Sequence, residues 1–363
     1  MSPPPRLSIV VPCYNEQDCL PALHERLTKA AQAAVGDDYE LVLVNDGSTD
    51  RTWALMREFA ERDPRLLAVN LSRNHGHQLA LTAGLDLCKG ENILIIDADL
   101  QDPPELIGGM LETMRREDAD VVYGLRTARA GETRFKRATA AAFYRMLARA
   151  TEVDIPVDAG DFRLMSRRAL NALLAMPEQA RFIRGMVAWI GFRQVPFPYR
   201  RDERLAGTTK YPFRKMLAFA IDALTGFSST PLKLASHAGL WLSVGSVLLV
   251  LYILAGWVSG RAIPGWTSLM LVVVVIGAVQ MFVLGLLGEY IGRLYSQSKQ
   301  RPLYIVQDIA GGRIAEAPLH ARGLGIVASA KGPAAVKPEG HQRRKRNVGK
   351  DRPPGGAVET LDQ

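Results

Sequence analysis

An apolar run of strand length, Ile93-Leu94-Ile95-Ile96, stops at Asp97-Ala98-Asp99-Leu100-Gln101-Asp102-Pro103-Pro104, and this junction restricts the fold more than any other stretch of the chain. It reads as a buried strand that delivers two carboxylates and an amide to the edge of a sheet. In an extended backbone residues two apart share a side, so Asp97 and Asp99 are expected to face one cation, with Gln101 two further along. Hard oxygen ligands suit Mg2+ or Mn2+, which complete their shells with water and substrate phosphates. The implied ligand is a nucleotide diphosphate.

Four further short apolar runs, Leu7–Pro12, Glu40–Asn45, Leu66–Leu71 and Val121–Gly124, are separated from one another by helix-length segments. Such alternation predicts an α/β fold with a largely parallel sheet covered by helices. Pro21–Ala34 and Arg51–Arg62 have helical spacing, and the second follows Asn45-Asp46-Gly47-Ser48-Thr49-Asp50, a glycine turn joined to an N-capping residue. Ligands of open α/β sheets bind beyond the carboxyl ends of the strands. Pro12-Cys13-Tyr14-Asn15-Glu16, Asp46 and Asp97 all belong there.

The formal net charge of +8 would suggest a nucleic-acid partner if it were spread over the chain. It is not, because residues 321–363 alone carry nine Lys/Arg against four Asp/Glu. A basic run such as Arg343-Arg344-Lys345-Arg346 beside membrane spans more often faces anionic lipid, so no nucleic-acid partner is expected. Cys13, Cys19 and Cys88 have no metal or disulfide spacing and read as buried thiols in a reducing compartment.

Residues 238–288 are almost without charge. Segments 238–258 and 269–288 are each about long enough to cross ~30 Å of hydrocarbon at ~1.5 Å per residue. The link between them carries only Arg261, whereas Lys and Arg gather before the first and after the second. By the positive-inside rule both ends are cytoplasmic. Phe213, Met216, Leu217, Ala220, Ile221, Leu224 and Phe227 form an amphipathic stripe just upstream. The expected division is a catalytic domain over 1–212, amphipathic juxtamembrane helices over 213–235, a two-helix hairpin over 236–290, and a largely disordered basic tail over 291–363.

Ser72-Arg73-Asn74-His75-Gly76-His77-Gln78, the Asp97–Glu105 segment, Gly160-Asp161-Phe162-Arg163-Leu164 and Glu203-Arg204-Leu205-Ala206-Gly207-Thr208-Thr209-Lys210-Tyr211 together resemble glycosyltransferase family 2, and within it the polyprenyl-phosphate glycosyltransferases. The resemblance covers roughly residues 7–235. It departs from the common pattern at Asn45, where many members have an aspartate. It implies a GT-A (Rossmann-like), mostly parallel sheet with helices on both faces, plus the C-terminal transmembrane hairpin, in a multi-pass inner-membrane protein.

Residue by residue, the resemblance implies that Pro12, Tyr14, Glu16 and Asp46 bind the nucleoside of a nucleotide-sugar, with Asp97, Arg204 and Lys210 on its phosphates. Asp97, Asp99 and Gln101 would organise Mg2+ or Mn2+. Arg126 and Arg134, with Arg137 as a rival, would hold the phosphate of a polyprenyl acceptor, and Asp161, with Asp158 as a weaker candidate, would be the base or an orienting group. His75 and His77 open a helix, where phosphate or capping roles are open to them. The implied reaction is inverting hexosyl transfer, from UDP-glucose first and GDP-mannose next, to undecaprenyl phosphate. The hairpin also makes a homo-oligomer plausible. The rival readings are a processive polysaccharide synthase, whose Gln-x-x-Arg-Trp motif is absent, and a non-catalytic membrane adaptor that binds the lipid carrier.

Overall fold

A computed structural model describes residues 3–127, 159–201, 230–259, 265–312 and 325–326, all within one compact unit, Met1–Ala328. Its strands are β1 (Leu7–Cys13), β2 (Tyr39–Asn45), β3 (Leu66–Leu71), β4 (Asn92–Ile95), β5 (Val121–Arg126), β6 (Ala159–Ser166), β7 (Gln194–Tyr199), β8 (Ile305–Gly311) and β9 (Gly325–Ile326). They form one sheet in the order β7-β5-β6-β4-β1-β2-β3-β8-β9. The run β3-β2-β1-β4 is parallel, and β6 is inserted antiparallel between β4 and β5. Every residue of β1 is buried, as expected for a central strand covered on both faces.

The helices are α1 (Leu20–Val35), α2 (Thr52–Arg62), α3 (His77–Leu87), α4 (Ile107–Arg116), α5 (Arg167–Ala175), α6 (Ile183–Trp189), α7 (Thr230–Val258) and α8 (Trp266–Ser298). Two apolar cores result. Leu20, Leu23 and Leu27 of α1, Met56 of α2 and Met110 of α4 meet Ile9, Val11 and Leu43 on one face. Ala80 and Leu81 of α3, Leu170 of α5 and Met186 of α6 meet Val10, Val42 and Ile95 on the other. The alternation of inward positions along each strand thus supplies both helical layers, and the expected mostly parallel GT-A-like arrangement is what forms.

Antiparallel β6 is what gives the sheet a single chemical edge. Because it runs against β4 and β5, its first residues lie beside the last residues of theirs, with Leu125 opposite Ala159 and Ile95 opposite Arg163. Asp161 is thereby brought to the edge where β1, β2, β4 and β5 end.

α7 and α8 pack against each other as a hairpin. Residues 272–298 of α8 are long and apolar enough to cross a membrane. Leu248, Leu251, Met281 and Phe282 are each more than half exposed, an apolar surface that water would penalise and lipid would not. Hydroxyls in α7 turn inward, with Ser236 Oγ donating to Leu232 O and Ser243 Oγ to Gly239 O.

The region after α8 differs from the expected tail. Gln297 at the end of α8 accepts from the Gln179 N–H at 2.9 Å and donates to Pro177 O at 2.8 Å. Tyr304 is buried and donates to Asp86 Oδ2 at 2.7 Å, and β8 then adds to β3 as an antiparallel strand. The sheet therefore continues through β8, and β9 pairs parallel with β8 beyond it. The amphipathic stripe over 213–227 lies outside the described residues, as does nearly all of the chain beyond Gly312.

Candidate active site

The loops after β1 and β2 are fastened together. Asn15 adopts a left-handed φ of 56°, which asparagine tolerates better than most residues. Its N–H donates to Ser48 Oγ at 2.9 Å and its Oδ1 accepts from the Thr49 N–H at 2.8 Å. The Glu16 N–H donates to Thr52 Oγ1 at 2.9 Å. Pro12 is buried at the end of β1, whereas Tyr14 is 47% exposed, so its ring stands at the rim of the cleft.

Asp46 is buried, and both of its oxygens accept backbone donors from the turn before α3: His75 N–H at 2.7 Å and Gly76 N–H at 2.9 Å. Burial raises its pKa, and these two donors offset that only in part. Gly47 closes the same junction. It has φ +65°, and a Cβ there would lie 2.5 Å from the backbone of Arg73 and Asn74.

Pairing in β4 stops at Ile95, so Asp97, Asp99 and Gln101 lie in the loop beyond it, with a turn at Ala98-Asp99, and not on the extended strand that the sequence suggests. The loop includes Leu100 at φ 57°, an uncommon conformation for a non-glycine residue and one that concentrates at functional sites. Asp97 remains within electrostatic reach of Asp99, Asp102 and Asp161. Burial above all, then these carboxylates, push its pKa up to about 6, against the lowering effect of His77. Asp97 Oδ1 is buried and hydrogen-bonded to nothing, although His77 Nε2 lies 3.7 Å away.

Asp161 has the opposite environment. Burial would raise its pKa, but His77 Nε2 at 3.2 Å and Arg184, whose Nε donates at 2.7 Å and Nη2 at 3.2 Å, hold it well below the ordinary carboxylate range. Gln78 Nε2 adds a longer contact at 3.4 Å. His77 thus stands between Asp97 and Asp161. Burial works against its imidazolium, but the hydrogen bond to Asp161 and the charge on both carboxylates raise its pKa.

A second group surrounds Asp102, which is fully buried. The Tyr199 hydroxyl donates to Asp102 Oδ1, and Arg126 Nε donates to the Tyr199 oxygen at 3.4 Å. Gly160 leaves room for Arg126, since a Cβ there would lie 2.6 Å from its Nη2. Arg201 completes the group, with Nε 3.5 Å from Asp102 Oδ1 and Nη2 3.9 Å from Asp99 Oδ2.

The donors fit a hard divalent ion. Asp97 Oδ1 is an orphaned buried acceptor, and Asp99 sits two residues along, half-buried. Among the described residues no three His, Cys, Asp or Glu side chains converge as a closed metal cage. An ion held here would complete its shell from water and phosphate, as Mg2+ and Mn2+ do.

Residues 8–174 match the family model for glycosyl transferase family 2, and residues 230–294 match that for the GtrB C-terminal hairpin. YkcC, described as an uncharacterized glycosyltransferase of Bacillus subtilis (strain 168), is 48% identical over 305 residues, covering 84% of this chain and 94% of that one. The chain belongs to glycosyltransferase family 2. Another member, the bactoprenol glucosyl transferase of Shigella phage SfV, is 36% identical over 304 residues, 84% of this chain and 98% of its own. The solved mannosyltransferase PcManGT from Pyrobaculum calidifontis superposes with TM-score 0.41 at 18% identity, over 78% of this chain and 88% of that one, a likeness too distant to carry a functional inference.

In this family-2 chain the described structure brings Pro12, Tyr14, Glu16, Asp46, Asp97, Asp99, Gln101, Arg126 and Asp161 to one edge of the sheet. Arg134, Arg137, Asp158, Arg204 and Lys210 lie outside the described residues. Three residues that the motifs do not single out, Arg184, Tyr199 and Arg201, join the same edge. Tyr199 and Arg201 sit just before the motif that begins at Glu203, but Arg184, in Phe182-Ile183-Arg184-Gly185, carries no local signal. Only β6 and α6 coming together in space gives it a role.

Proposed function

We propose that this family-2 glycosyltransferase transfers a hexose, glucose from UDP-glucose in the first instance and mannose from GDP-mannose next, to a polyprenyl phosphate in the membrane. The acceptor in this reading is undecaprenyl phosphate, met at the cytoplasmic face, and the anomeric configuration inverts. One observation carries the reading: an acidic sheet edge and a GtrB-type hairpin occur in one chain, and that chain is similar to a bactoprenol glucosyl transferase over nearly the whole length of the latter.

The chemistry follows from charge. A phosphate monoester has a second pKa of about 6, so the acceptor is largely ionised at neutral pH and needs no strong general base. Asp161, held ionised by Arg184 and His77, is a poor proton acceptor and is better suited to orienting the sugar or the reacting phosphate. Arg126, aided by Arg134, offsets repulsion between acceptor phosphate and donor diphosphate, with Arg204 and Lys210 on the donor side. Asp97 and Asp99, with Gln101 adjacent, would hold a divalent ion, whose charge would offset that of the leaving nucleoside diphosphate. Tyr14 offers an aromatic face to the base, and Pro12, Glu16 and Asp46 shape the nucleoside end of the cleft.

The hairpin gives these parts a height. The apolar segment of α8 fits the bilayer, and its last turns carry Gln297 onto the catalytic domain, so the cleft is held near the headgroups where a polyprenyl phosphate presents its charge. The direct test is transfer of labelled sugar from a panel of UDP- and GDP-sugars to undecaprenyl phosphate in detergent, with Mg2+ or with EDTA. Metal-dependent transfer from one donor is expected. Absence of transfer from every donor, with the lipid still bound, would replace this reading with that of a non-catalytic carrier-binding adaptor.

A further inference from the structure

We propose that Arg201 is a built-in counterion of the acidic centre, which a divalent cation displaces from Asp99 and which then serves the donor diphosphate. The inference rests on the metal-assisted reading above and names a residue that no motif assigns.

Arg201 follows β7, whose pairing with β5 runs to Tyr199. Its guanidinium sits between two carboxylates, 3.9 Å from Asp99 Oδ2 and 3.5 Å from Asp102 Oδ1, without a hydrogen bond from Nε to either. Asp102 Oδ2 is likewise buried without a hydrogen-bond partner. At Asp102 the guanidinium therefore compensates charge without hydrogen-bonding the buried Oδ2. Mg2+ coordinates carboxylate oxygen at about 2.0–2.1 Å and carries twice the charge, so at Asp99 it outcompetes a contact at 3.9 Å.

Metal and guanidinium repel each other across the same carboxylate, so the arrival of one loosens the other. Arg201 has somewhere to go. Its side chain is 26% exposed, while Asp102 stays fixed by the Tyr199 hydroxyl. A diphosphate brought by the donor offers the released guanidinium the bidentate oxygens that neither aspartate supplies now. Metal and nucleotide diphosphate should then bind with positive coupling, and the coupling must be reciprocal.

The test is Mn2+ titration of the full chain in detergent, read from the electron paramagnetic resonance signal of free Mn2+, with and without UDP, for wild type, R201Q, R201M, R201K and D99N. Without UDP, R201Q and R201M are expected to bind Mn2+ about threefold or more tightly than wild type, because a competing unit charge is gone. R201K keeps the charge and should stay near wild type. UDP should tighten Mn2+ binding less in R201Q than in wild type. Equal or weaker Mn2+ binding by R201Q and R201M, or no Mn2+ binding by either, overturns the proposal. If D99N binds Mn2+ as wild type does, it is the metal-site reading that fails; loss in D99N with no change in R201Q sinks the counterion alone. Thermal midpoints recorded alongside confirm that each variant compared is folded.

Discussion

Strands β2 and β4 flank β1, and each delivers an aspartate just past its last paired residue, but the two carboxylates have opposite surroundings. Asp46 is saturated: two backbone N–H groups from a neighbouring loop point at its oxygens, and a glycine beside it lets the two loops touch. Asp97 is left open, with one buried oxygen unbonded and three other carboxylates near enough to raise its pKa. The same residue type at the same kind of position is thus used once to build the cleft and once to hold charge in reserve. Stability and binding should separate along this line.

The largest effect that can break the comparison is on the open side. Asp99→Ala should lower kcat/KM for sugar transfer by about a thousandfold or more, the scale on which charge stabilisation of a leaving group acts. Its thermal midpoint should stay close to wild type. If Asp99→Ala were instead mainly destabilising and still active, the β4 loop would belong with the β2 loop as scaffold.

On the saturated side the expectation reverses. Asp46→Ala removes the acceptor from two part-buried N–H groups and should cost about 2–3 kcal/mol of stability. Denaturant unfolding in detergent measures it, and a cost below that of a typical surface substitution would mean that the carboxylate is not what joins the loops.

Asp161 offers an intermediate case, a buried carboxylate made tolerable by a cation. Arg184→Ala should cost about 1–3 kcal/mol, discounted because the arginine is 31% exposed. Arg184→Lys should recover part of that, since it keeps the charge but not the two-point contact. Recovery of stability without recovery of kcat would mark the pair as one that orients a reacting group.

Much of this contrast is legible in the amino-acid sequence, and the reason is local. The strands β1 to β5 announce themselves because buried parallel strands are continuous apolar runs, and the Asn45–Asp50 turn because glycine and short polar residues are needed there. Asp97, Asp99 and Asp161 stand out in their motifs. Strand β8 does not, because Ile305–Gly311 includes Gln307 and Asp308 and acquires its identity only from β3, more than two hundred residues away in the chain. Arg184 and Arg201 are hidden too, because an arginine's partner is set by tertiary placement: Asp161 lies 23 residues from Arg184 in the chain, and Asp102 about a hundred from Arg201, although Tyr199 beside Arg201 shares that partner. The extended arrangement expected for Asp97 and Asp99 does not form because pairing ends at Ile95, short of the first aspartate.

The smallest effect sharpens the comparison most, because its sign is unusual. Asp97 has a folded pKa of about 6, above the ~3.9 of an unfolded aspartate, so the folded state binds its proton more tightly. Stability is therefore gained as pH falls through about 6 towards 4, and the ionised carboxylate is a burden above that window. Replacing it with asparagine removes the burden while nearly preserving shape. In EDTA at pH 8, Asp97→Asn should raise the thermal midpoint by about 2–4 °C, an advantage that shrinks as the pH falls through about 6. Saturating Mn2+ and UDP should reverse the order, stabilising wild type through a ligand that the variant has lost. A midpoint for Asp97→Asn below wild type in EDTA at pH 8 would mean that Asp97, like Asp46, is held for the fold, with His77 as its partner.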